Sequence, residues 1–185
     1  MHYVDGKSAA AKLQMPLFEN KSCGVPGNMN PEPSIRDAIN NLLEQQKLGV
    51  LSTAGKQGAP YASLVAFAVS DDHRNIYFIT PQSTRKYANL NANPQAALLI
   101  NSSINQPEDF HQAMAVTATG AVKPVAARER EAVLQQYIAR HPNLEAFARS
   151  PGCALLAIRV ERYILVQRFQ NVTEYRLDPE MDHTS

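Results

Sequence analysis

The stretch Ile76-Tyr77-Phe78-Ile79-Thr80-Pro81-Gln82-Ser83-Thr84-Arg85-Lys86-Tyr87 decides the architecture. Its first five residues are all β-branched or aromatic, which is the composition of a strand. Pro81 and Gln82 end that strand. Ser83 or Thr84 then caps a short helix with Tyr87 and Leu90 inward, and Asn93-Pro94 stops it. Outward from this point the chain reads as strands at sheet spacing. Upstream lie Leu48–Thr53, a turn at 54–58, Pro60–Val69 and a turn at 70–75. Downstream lie Ala96–Ile100, a polar loop over 101–110, Ala113–Val125, Cys153–Phe169 and a return over 172–177.

Two longer helices complete the pattern. Ile35, Ala38, Ile39, Leu42 and Leu43 form one apolar stripe over 34–47, with Ser34 as cap and Asp37 in the first turn. Val133, Leu134, Tyr137 and Ile138 form another over 125–140, before His141-Pro142 breaks it. Leu144 and Phe147 begin a further helical turn. Nothing repeats at βαβ spacing, and no GxGxxG opens a helix. The spacing predicts an α+β, mainly β fold: an antiparallel barrel of about six strands with helices filling its gaps, because closure removes exposed strand edges. Residues 1–32, turn-rich between Lys21 and Pro33, read as an N-terminal extension: either a mobile tail, or an arm whose Leu13, Met15, Leu17 and Phe18 dock on its own barrel or on a partner subunit. Residues 33–178 form the barrel domain, and 179–185 a tail.

Composition bounds the chemistry. The chain has 185 residues, 44% hydrophobic and 19% charged, which is one globular domain. A net charge of +1 argues against nucleic-acid binding through bulk charge. Cys23 and Cys153 form no CxxC, and His2, His73, His111, His141 and His183 fall in no HxH or HExxH, so no metal site is expected. No apolar run reaches the roughly 20 residues of a membrane span, and no signal peptide is read, so a cytoplasmic location is expected.

Chemistry concentrates where the quoted strand becomes a helix. Helix N-termini present unpaired N–H groups and partial positive charge. Two hydroxyls and the cations Arg85 and Lys86 make that point suited to a phosphate, since Arg donates in a fork and Lys adds a point charge. The competing reading is plain capping with both cations in solvent.

Neighbouring segments taken together resemble the FMN-binding split-barrel family typified by pyridoxamine 5′-phosphate oxidase, over roughly residues 34–170. Four pieces carry the resemblance in order: the first helix leading into Leu48–Thr53; Gly58-Ala59-Pro60 with the strand to Phe67; Phe78-Ile79-Thr80 with Thr84-Arg85-Lys86 and Asn93-Pro94; and the strand ending at Gly120-Ala121-Val122. The resemblance implies FMN at a homodimer interface. Ser63, Leu64, Val65, Ala66 and Phe67 would line the flavin through backbone groups, Ile79 and Thr80 would close on the ribityl chain and ring, and Arg85 and Lys86 would bind the phosphate with Thr84 beside them. Departures accompany it. The oxidase has Arg where this chain has Ser63, Lys where it has Ala68, and a flavin-contacting Gln where it has Ala115. Its Arg- and Trp-bearing carboxyl-terminal segment has no counterpart in this Trp-free chain.

Other residues are read as structural. Gln167, Arg168 and Phe169 read as a surface pair flanking a core Phe, His111 as a solvated loop residue, Arg128–Glu131 as a solvated helix face, and Cys153 as buried. No acid–base dyad stands out, so no catalytic side chain is named. The leading expectation is an FMN-dependent oxidoreductase acting with a small-molecule substrate or electron donor. The alternatives are a non-catalytic flavin binder or redox sensor, and a haem-handling split barrel using His111 or His183.

Overall fold

The computed structural model describes residues 34–168 and 171–177. Its strands are β1 (Leu48–Ala54), β2 (Pro60–Val69), β3 (Asn75–Pro81), β4 (Gln95–Asn101), β5 (Met114–Pro124), β6 (Cys153–Gln167) and β7 (Asn171–Arg176). They pair in the order β3-β2-β1-β4-β5-β6-β7, and β3 also pairs with β6. That last pairing closes six strands into an antiparallel barrel and leaves β7 as an extra strand on β6. The inward residues of each strand, among them Leu51, Phe67, Phe78, Leu98, Val116 and Ile158, fill the interior.

Helices α1 (Ile35–Gln45), α2 (Arg85–Ala92), α3 (Asp109–Gln112), α4 (Arg130–Arg140) and α5 (Glu145–Ala148) decorate the barrel. Of the expected stripe of α1, Ala38, Ile39, Leu42 and Leu43 join the interior core, while Ile35 in the first turn is exposed. Its N-terminus is capped by Ser34, whose Oγ accepts from the Asp37 N–H at 3.2 Å and donates to the Asp37 carboxylate at 2.7 Å. Its C-terminus is held by Arg140, which donates to the carbonyls of Leu43, Glu44 and Gln46 at 2.5, 3.0 and 2.6 Å. The stripe of α4 packs with Ala68 and Ile79 on the outer side of β2 and β3, making a second core.

Three expectations change in detail. The helix placed at 125–140 begins only at Arg130, because the Val125 N–H is still bonded to Leu155 of β6 at 3.3 Å and a turn links Glu129 to Ala126. The loop at 101–110 runs into the short helix α3. The long strand β6 stops at Gln167, where Arg168 turns the chain at φ 47°; Phe169 lies outside the described residues, as do the expected extension 1–32 and tail 179–185. A bulge between Thr119 and Gly120 shifts the β5–β6 register. A Cβ at Gly120 would overlap the Arg159 carbonyl oxygen, so only glycine allows this close approach.

Candidate functional site

β2 pairs with β1 from Pro60 to Ala66, but with β3 only from Phe67 to Val69. Beyond Phe78, β3 pairs with β6 alone. A slit therefore opens between the first part of β2 and the end of β3. Alternate residues of an antiparallel strand direct both N–H and C=O to the same side, so alternate peptide groups between Pro60 and Ala66 face this slit without a ladder partner among the described residues.

The start of α2 lies at the end of the slit. Thr84, not Ser83, is the cap: its hydroxyl donates to the Pro81 carbonyl at 2.8 Å and accepts from the Tyr87 N–H at 3.4 Å. Thr80 Oγ1 donates to Thr84 Oγ1 at 3.0 Å. The N–H groups of Arg85 and Lys86 are left without an acceptor among the described residues. No acidic residue occupies the first turn, so the helix dipole and both cations add up. Asn89 donates to Thr53 Oγ1 at 3.1 Å and ties α2 to β1. The Arg85 guanidinium lies over the Tyr61 ring, 5.1 Å from its centroid, which joins the helix start to β2. Two residues farther along β2, the Ser63 hydroxyl is buried with no hydrogen-bond partner among the described residues.

The expected residues thus divide. Ser63, Thr80, Thr84, Arg85 and Lys86 come together around the slit, although the hydroxyls of Thr80 and Thr84 hold the turn itself. The side chains of Val65, Phe67 and Ile79 are buried in the two cores, which leaves Val65 and Ile79 only a backbone to offer. The expected backbone contact from Phe67 is not available, because its N–H donates to the Lys47 carbonyl at 3.3 Å and its own carbonyl accepts from His141. Leu64 points out of the barrel and is 62% exposed; Ala66 is half-buried. Tyr61 and Asn89 were not among the expected residues. Tyr61 carried a signal, since it shares a strand face with Ser63. Ala68 is buried beneath α4, which is why a lysine has no place there.

Where the slit ends, His141 clips the strand: its Nε2–H donates to the Phe67 carbonyl at 2.8 Å. Burial holds this imidazole below its ordinary value, and the nearby charges of Arg140 and Lys47 add to the effect. Burial also pushes the neighbouring Tyr137 phenol up to about 12. Elsewhere, Ala115 lines a shallow apolar cavity of about 310 Å³ with Phe110, Met114 and Val166. His111 is exposed on α3, Gln167 donates to Met114 Sδ at 3.3 Å, and Cys153 is buried; His183 lies outside the described residues. Among the described residues no three His, Cys, Asp or Glu cluster as metal ligands, and no helix is long and apolar enough to cross a membrane.

The outer face of β2, β1, β4 and β5 exposes leucines and small side chains among the described residues, and at its β5 side Arg162 donates to Thr119 Oγ1 at 3.1 Å. Leu64, Val50, Leu99 and Thr117 lie side by side across these strands, as do Ala62, Ser52, Ala97 and Thr119. Leu48 and Leu99 are 51% and 37% exposed. Neither row contains a charge.

The fold is shared with solved structures of low sequence identity. A haem-binding protein of Mycobacterium smegmatis superposes with a TM-score of 0.71 at 16% identity, covering 79% of this chain and 59% of that one. The haem storage protein HutZ of Vibrio cholerae gives 0.61 at 17%, covering 70% and 92%. General Stress Protein 26 of Bacillus anthracis gives 0.60 at 16%, covering 77% and 98%. This chain therefore spans well under two thirds of the mycobacterial protein. No curated protein matches it by sequence. The family profile described as Pyridoxamine 5′-phosphate oxidase matches residues 35–167, from the first residue of α1 to the last of β6. That match takes in the whole closed barrel, the slit and the start of α2, and the chain belongs to the pyridoxamine 5′-phosphate oxidase family.

Proposed function

We propose that the slit binds FMN, that two copies of the chain assemble around it, and that the pair works as an FMN-dependent oxidoreductase on a small-molecule substrate or electron donor. One observation carries this reading: the Arg85–Tyr61 contact joins the unpaired edge of β2 to the cationic start of α2. A flavin mononucleotide needs both halves. Its ring edge takes N–H and C=O partners, which the free peptide groups of β2 supply. Its phosphate takes donors and positive charge, which Arg85, Lys86 and their N–H groups supply. The buried Ser63 hydroxyl adds a donor where the oxidase has Arg. When bound, FMN supplies hydride and one-electron chemistry; this chain's residues hold it, orient it and exclude water. With Ser63 and Ala68 in place of two cations, vitamin B6 oxidation is not carried over with the cofactor.

The outer face of β2, β1 and β4, with Leu48, Leu64 and Leu99 exposed among the described residues, supports a homodimer, since grouped exposed apolar side chains mark an interaction site. It is continuous with the strand that edges the slit. A haem-binding reading draws on one feature, the exposed His111 next to Phe110 at the apolar cavity. Titrating the full-length protein with FMN, riboflavin and haemin separates these readings. Saturable FMN binding, tighter than riboflavin, is expected. Steady-state oxidation of a reduced nicotinamide then separates an enzyme from a binder that is reduced only once. A Soret shift with haemin and no flavin binding would overturn the proposal.

A further inference from the structure

A second cationic site lies away from the slit, on the outer side of β3, β6 and β5. It is a cleft of about 560 Å³. Its floor follows from strand register. Tyr77, Ala157 and Lys123 lie side by side across β3, β6 and β5. Arg159, two residues along β6 from Ala157, shares their face and is diagonal to both Tyr77 and Lys123. Diagonal neighbours on one sheet face are about 7–8 Å apart, within reach of long side chains. Ala157 is the only small residue among these four and leaves the depression between them. The loop Val125–Glu129, where a helix was expected, forms the wall.

Charge in the cleft is unevenly used. Arg128 pairs with Glu129 at 3.0 Å. Asp72 accepts from the Ser70 hydroxyl at 2.6 Å and from the Arg74 N–H at 3.0 Å. Lys123 and Arg159 make no ion pair or side-chain hydrogen bond among the described residues. Burial, then the carboxylates of Asp72 and Glu129, holds the Tyr77 phenol above its ordinary value, so its hydroxyl keeps its proton as a donor. Pro124 and Val125 add apolar contact beside these donors.

We propose that this cleft binds a small organic phosphate, with Lys123 and Arg159 on the phosphate and Tyr77, Pro124 and Val125 against its organic part. The site is independent of the flavin slit, because it shares no residue with it and draws its cations from β5 and β6 instead of α2.

Phenyl phosphate titrated calorimetrically into the full-length protein tests this. Saturable binding is expected, weakened roughly ten-fold or more in K123A/R159A, as expected when two charge-assisted contacts are removed. The Ala157→Leu variant, which fills the depression and keeps both charges, is expected to lose it too. R85A/K86A is expected to bind as the unaltered protein does. Absence of saturable binding, equal binding by K123A/R159A, or loss in R85A/K86A would each overturn the site. Inorganic phosphate binding as tightly as phenyl phosphate would overturn the organic part. Both cations are exposed, so K123A/R159A tests the site even if the Ala157 variant does not fold.

Discussion

The slit and the cleft lie on either side of β3 and present similar charge by opposite means. At the slit, sheet pairing fails: β2 parts from β3, a helix begins, and two adjacent residues, Arg85 and Lys86, stand where backbone donors are already unpaired. At the cleft, pairing is complete. Lys123 and Arg159 are far apart in sequence and meet only because β5 and β6 hold one register. A change to the register should therefore empty the cleft and spare the slit, and a change to the helix start should do the reverse. The slit also borders the outer face on which Leu48, Leu64 and Leu99 are exposed, so it alone should depend on assembly.

Breaking assembly should have the largest effect. Leu64→Asp places a charge on that face, at its β2 border beside the slit, twice in a two-fold dimer. Losing two buried leucines costs about 3–6 kcal/mol per dimer. Light scattering should then give one chain of 20.4 kDa instead of two. FMN affinity should fall with it, while phenyl phosphate binding stays. A Leu64→Asp protein that remains dimeric would show that this face is not the interface.

Next comes the register itself. Gly120→Val drives a side chain into the Arg159 carbonyl at the bulge. Overpacking against backbone costs about 3 kcal/mol or more, read as a lower urea midpoint. Because the β5–β6 pairing beyond the bulge sets Lys123 beside Ala157, phenyl phosphate binding should be lost in the protein that still folds. A midpoint within about 0.5 kcal/mol of the unaltered protein, the usual range for neutral surface changes, would mean that the bulge does not need glycine.

The converse variant is R85A/K86A. Charge-assisted bonds contribute about 1.5–3 kcal/mol each, so FMN should weaken roughly 10²-fold or more. Riboflavin, which lacks the phosphate, should change little. Equal losses for both ligands would make Arg85 and Lys86 ordinary surface cations.

These two sites also show what a sequence can disclose. The slit's charged half was legible because it is local: a β-rich run, a Pro, two hydroxyls and two cations within a dozen residues. The strands and their closure into an antiparallel barrel were legible because each strand is bounded by turn residues, and α1 because Ser34 and its stripe lie within one helix. The β1–β4 and β3–β6 pairings that close the barrel join distant segments and were not. Tyr61 under Arg85, and Asn89 on Thr53, were not, since each contact joins separate elements. The cleft was less legible still. It depends on a one-residue bulge and on Val125–Glu129 staying out of α4, where Ala126-Ala127-Arg128-Glu129 has the composition of a helix. Pairing to β6 overrides that propensity.

The smallest expected effect sharpens the comparison at the point where the slit closes. His141 donates to the carbonyl of Phe67, the first residue of β2 that pairs with β3. Its folded pKa is below the ordinary 6.5, through burial first and then Arg140 and Lys47. Across the window below pH 6.5 the unfolded chain binds this proton more readily than the folded one, so stability rises with pH there. The contribution is complete above 6.5 and is lost as pH falls through the folded value. The carboxylates of Asp72, Glu131 and Glu174, all held low, act only at more acid pH, below about 4.5, which leaves the upper window free of them. His141→Gln keeps an N–H donor for Phe67 but cannot titrate. Urea midpoints between about pH 5 and 6.5 should fall with acid in the unaltered protein and stay flatter in the variant. FMN affinity, which depends on β2 keeping its edge, should follow the same curve, and phenyl phosphate affinity should not. Identical pH profiles for the two proteins would show that His141 is not the titrating clip and that the slit closes on packing alone.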